Sequence, residues 1–141
     1  VSDGRLRALF VANLPDAHWQ PIETWSTGQG VPDSEYCFPG GASGWIENKR
    51  TEHWAVKFET FQPAWIERRV RTGGRVTIAV RRVAVGGPRT APADELWLVA
   101  GRDVFRLRDG GLRAPGLVPL GRFQGGPARW DWAIVRRLLT A

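Results

Sequence analysis

Apolar residues recur along this chain at two spacings, one helical and one extended. In RLRALFVANL (5–14), Leu6, Leu9, Phe10 and Leu14 stand at helical intervals, and Pro15 stops the run. Pro21 biases Gln20 away from helix, so HWQPIETW (18–25) reads as extended. SEYCF (34–38) and GWIENKR (44–50) predict two strands joined by the turn PGGAS. A helix is expected from Thr60 or Gln62 to about Thr72, with Pro63 tolerated in its first turn. Trp65, Ile66, Arg69 and Val70 form its inner stripe, and Gly73-Gly74 closes it. RVTIAVRRVAV (75–85) alternates as a strand does. After a Gly/Pro-rich loop (86–93), ELWLVAG and DVFRL are expected to pair as a hairpin. Residues 109–127 read as irregular. ARWDWAIVRRLLT predicts a C-terminal helix with Trp130, Ile134, Leu138 and Val135 inward.

Strands interleaved with helices predict a mixed α/β (α+β) fold. A chain of 141 residues, 43% apolar and with eight Trp, fills one core, so a single domain over 1–141 is expected. No apolar run approaches the ~18 residues of a membrane span. The start, VSDGRLRALF, lacks the apolar stretch of a secretory signal. Cys37 is the single cysteine, which excludes an internal disulfide and a Cys-based zinc site. A cytoplasmic protein is the expectation.

Charge narrows the partners. Twenty Lys+Arg against fourteen Asp+Glu give +6, and all the cations except Lys49 and Lys57 are Arg. Arg matches phosphate bidentately, which makes nucleic acid a candidate partner. Solvated surface arginines would account for the same composition.

Within that frame one stretch gathers opposite charges. On a strand, Trp45, Glu47 and Lys49 share one face while Ile46 and Asn48 share the other. Glu47 and Lys49 alone could be a surface ion pair worth ~0–1 kcal/mol. The hairpin, however, brings Asp33 back beside Glu47. Two converging carboxylates make the hard-oxygen site that Mg²⁺ uses, and a neighbouring Lys can orient a water against phosphate. The flanking glycines, Gly28 and Gly30 among them, would let a phosphate backbone approach closely. Read plainly, Asp33 is a turn residue after Pro32.

GVPD followed by a strand carrying WIENK resembles the PD-(D/E)XK nuclease superfamily, through Pro32-Asp33 and then Glu47-x-Lys49. IETWSTGQGVPD puts Glu23 where related small phage nucleases, VRR-NUC-like ones included, carry an additional acidic residue. FQPAWIERRVRTGG is similar to their Gln, aromatic and Gly-Gly helix, and RVTIAVRR fits the next strand; the likeness covers about residues 20–82. It implies a restriction-endonuclease-like core, a central mixed β-sheet flanked by helices. It implies that Asp33 and Glu47 ligate Mg²⁺ (or Mn²⁺ in its place), together with the backbone carbonyl of Asn48. Lys49 would position the attacking water, Glu23 would ligate or hold a metal-bound water, and Gln62 would reach the site from its helix. DNA contacts would come from Arg50, Arg68, Arg69, Arg71 and Arg75. The implied activity is DNA endonuclease, structure-specific on branched DNA in the manner of Holliday-junction resolvases, acting as a homodimer in a bacterial or phage-infected cell. The alternatives are a DNA-binding module on the same fold that no longer cuts, and a nuclease without junction preference.

Overall fold

The computed structural model describes residues 3–23 and 29–141. Among these, six strands form a mixed sheet whose spatial order follows the sequence. β1 (His18–Pro21), β2 (Ser34–Cys37) and β3 (Ser43–Thr51) make an antiparallel meander. β4 (Val76–Ala84) lies parallel to β3, a pairing that needs a crossover, and α2 (Gln62–Arg71) provides it. β5 (Ala93–Ala100) and β6 (Gly121–Phe123) then add on antiparallel. The remaining helices are α1 (Leu6–Asn13), α3 (Val104–Gly110) and α4 (Trp132–Thr140).

Strand alternation sorts the apolar side chains into two layers. On one face Tyr36, Ile46, Ala79 and Leu98 pack against Leu6 and Phe10 of α1 and Val135 and Leu139 of α4. On the other, Ile78, Val80, Trp97 and Val99 pack against Ile66 of α2 and Val104 and Leu107 of α3. Covered on both faces, β4 is buried without interruption from Val76 to Val80, as central strands are.

Three expectations change. DVFRL is not a strand: Val104 and Leu107, three residues apart, both turn inward as α3. The outer neighbour of β5 is instead β6, which lies inside the stretch read as irregular. At three residues it is too short to display alternation. The C-terminal helix starts later than expected, at Trp132, where Asp131 caps it by accepting the Ile134 N–H at 3.1 Å. Trp130 is buried ahead of the helix, Ile134 points outward, and Val135 and Leu139 supply the inner face. Among the described residues no helix is long and apolar enough to cross a membrane.

Candidate active site

Register fixes the meeting of the two carboxylates. Ser34 of β2 lies opposite Ile46 of β3, so the preceding Asp33 falls opposite Glu47 and on its face. Asp33 is then held from its side: its Oδ2 accepts the Asn48 N–H at 2.8 Å. The N–H and C=O of one strand residue point the same way, so the Asn48 carbonyl also opens toward Asp33. Gln62, the first residue of α2, ties the rest together. Its Oε1 accepts from Lys49 Nζ at 2.7 Å and from the Glu59 N–H at 2.9 Å, while its Nε2 donates to Glu47 Oε2 at 2.9 Å. Lys49 Nζ also lies 3.2 Å from Glu47 Oε2 and 4.7 Å over the Phe58 ring.

These groups line a cleft of about 660 Å³. Glu47 is 2% exposed, and its second oxygen, Oε1, is buried without a hydrogen-bond partner. Burial, and next the Asp33 carboxylate, push the Glu47 carboxyl up to about 8 against the pull of Lys49. Burial likewise raises Asp33, opposed by the Asn48 hydrogen bond and the Lys49 charge. One ammonium therefore does not neutralise two desolvated carboxylates, and a divalent cation between them would. Among the described residues no group of three or more His, Cys, Asp and Glu could hold a metal. The oxygens the cleft could offer a cation are two carboxylates and a carbonyl, few enough that only an ion that keeps several waters, as Mg²⁺ does, would match them.

Not every residue singled out in the sequence reaches this cleft. Asp33, Glu47, Asn48, Lys49, Arg50 and Gln62 do. Arg50 is exposed and lies 3.5 Å from Glu52. Glu23 is exposed just past Ile22, whose N–H donates to the Asp33 carbonyl at 2.9 Å. Gly28 lies outside the described residues. Gly30 corrects its expected role. It is buried at φ +89°, and a Cβ there would sit 2.4 Å from the Phe61 carbonyl oxygen. Its missing side chain lets the Asp33 loop dock against the start of α2, not a phosphate.

The expected arginine cluster also changes meaning. Arg68, Arg69 and Arg71 occupy the last turn of α2, about 9 to 14 Å along the helix from Gln62. Arg69 lies over the Trp45 and Trp65 rings, at 5.1 and 4.7 Å, and Arg75 binds the carbonyls of Leu139 and Ala141 near the C-terminus. Arg75 is thus tied to the end of the chain, and Arg69 is half-buried against the two indoles. Conversely, Asp3, Lys57 and Glu59 line the cleft without having been singled out, and Arg7 reaches the Asp33 carbonyl at 3.5 Å. The basic pair Arg5 and Arg7 at the start of α1 was the available signal for the last.

No family model matches the chain, and no curated protein and no solved structure is similar enough to it to show a relationship. What can be said of its chemistry rests on the cleft.

Proposed function

We propose that this protein is a divalent-metal-dependent endonuclease that hydrolyses phosphodiester bonds in DNA, on a restriction-endonuclease-like core. The observation that carries the reading is the unpartnered, buried Oε1 of Glu47 beside Asp33, with Lys49 held on the same face by Gln62. A pure DNA-binding module gains nothing from such a pair, because uncompensated carboxylates repel phosphate.

Asp33, Glu47 Oε1 and the Asn48 carbonyl would hold the cation. When bound, it offsets the charge that grows on the phosphoryl oxygens in the transition state. Gln62 takes one ammonium proton of Lys49 and Glu47 Oε2, 3.2 Å away, a second, which leaves one for the cleft. Lys49 then directs a water in line with the scissile P–O bond and donates to the phosphate as negative charge accumulates. Gln62 is a positioning residue: it touches Glu47, Lys49 and the Glu59 backbone. We extend the reading to branched DNA and a homodimer, since paired cuts in a junction require two sites related by a twofold axis.

Labelled four-way junction and linear duplex, each with Mg²⁺ and with EDTA, test the proposal. Cleavage is expected with Mg²⁺ alone, and Asp33→Ala or Lys49→Ala should lower it by about 10²-fold or more. No cleavage with any divalent ion would refute the enzyme reading. Equal rates on the two substrates would remove the junction preference and keep the nuclease.

A further inference from the structure

Lys49, Val80, Trp97 and Arg122 form one row straight across the sheet. Lys49 pairs with Val80, Val80 with Trp97, and Trp97 with Arg122. Directly paired residues project from the same face, so Arg122 stands on the face that carries the cleft. The next row there holds Thr51, Arg82 and Glu95. Trp54, in the chain that leaves β3, lies over both rows. Its indole meets Trp97 edge-on at 6.2 Å, and the guanidinium carbons of Arg82 and Arg113 are each 3.9 Å from its ring centre. Arg122 lies 4.5 Å over Trp97.

Three guanidiniums thus gather around two indoles and one carboxylate. Glu95 takes up Arg82 and Arg122. Among the described residues no carboxylate pairs with Arg113, which is exposed. A planar guanidinium already laid against an indole loses less freedom on gripping a phosphate. From Lys49 to Arg122 there are three strand spacings, about 14 Å. That equals about four base-pair rises along the axis of a duplex.

We propose that Arg113 and Arg122, steadied by Trp54 and Trp97, grip backbone phosphates of the DNA strand leading away from the carboxylate cleft. This inference rests on the nucleic-acid reading of that cleft and moves the main contact surface from the end of α2 to the β5–β6 side of the sheet.

Binding of a labelled linear duplex, followed by fluorescence anisotropy in EDTA over a range of NaCl concentrations, tests it without any cutting. For Arg113→Gln the slope of log K against log salt should fall by about one. For Arg113→Gln/Arg122→Gln it should fall by about two, with affinity at low salt reduced at least about tenfold. Arg113 makes no ion pair, so its single variant keeps the test open even if loss of Arg122 disturbs Glu95. An unchanged slope at Arg113, or a loss confined to Arg68→Gln/Arg71→Gln, would overturn the proposal, as would wild-type protein that binds no DNA. A protein that cuts DNA with an unchanged Arg113 slope keeps the nuclease and loses the track. One that binds through Arg113 and cuts nothing does the reverse.

Discussion

Glu47 concentrates the chemistry of the cleft in one side chain. Its buried, unpartnered oxygen has a measurable consequence for the metal-free protein. With its carboxyl raised from 4.5 to about 8, the folded chain holds a proton that the unfolded chain has already released throughout that interval. Stability should therefore be fully present below pH 4.5 and decline as pH rises toward 8, since here the native state binds more protons. Asp33, raised for the same reason of burial, adds in the same direction. Glu47→Gln keeps the shape and the acceptor while removing the titration. Thermal unfolding in EDTA between pH 5 and pH 8 should show the melting temperature of the variant gaining on wild type as pH increases. Parallel profiles would show that burial does not perturb this carboxyl. Added Mg²⁺ should restore more stability at the upper end of the range, because the ligand must be ionised to bind.

At the scale of elements, the β4–β5 pair carries the analogous device in structural form. Arg82 and Glu95 lie directly opposite, 2.7 Å apart, with side chains 9% and 3% exposed. Burial opposes ionisation of Glu95, yet hydrogen bonds from Arg122, Arg82 and Trp97 hold its carboxyl below the ordinary value. Glu95→Ala strands a buried guanidinium and should cost about 3–5 kcal/mol. Arg82→Met/Glu95→Leu removes the buried pair and leaves unpaired only the charge of Arg122, which can turn to solvent, so it should cost much less, as urea unfolding would show. Which such pairs form was only partly legible in the sequence. The opposite facing of Arg81 and Arg82 follows from period two, and Arg81 does bind Asp94 on the other face. The order of α1, β2, β3, α2 and β4 was readable from long periodic runs and glycine punctuation. α3 and β6 were not, because a seven-residue helix and a three-residue strand hold too few positions to display a period. In the cleft, Asp33, Glu47 and Lys49 were legible because pleat and hairpin geometry force them together, whereas Gln62, on α2, came into view only through the family resemblance. What Arg69 and Arg75 touch was not legible, because a cationic cluster in sequence says nothing about the rings and carbonyls that engage it in the fold.

For the whole molecule, adjacent residues serve different layers. Ile46 is fully buried beneath α1 and α4, and Glu47 beside it faces the α2 side. Ile78, the β4 partner of Glu47, is fully buried in the opposite apolar layer. A sheet shared in this way should couple the two layers, so neither can melt while the other keeps its strands. Ile46→Ala and Ile78→Ala each remove buried methyl groups from a closed site, and each should cost about 2–5 kcal/mol. Tryptophans report on both sides: Trp130 belongs to the first layer and Trp97 to the second. Urea unfolding followed by Trp fluorescence and by far-ultraviolet circular dichroism should give one coincident transition in wild type. In both variants that transition should move to lower urea without splitting. Separate transitions in either variant would mean that the layers unfold independently. The carboxylate cleft, built on β3 between them, would then owe its geometry to the α2 layer alone.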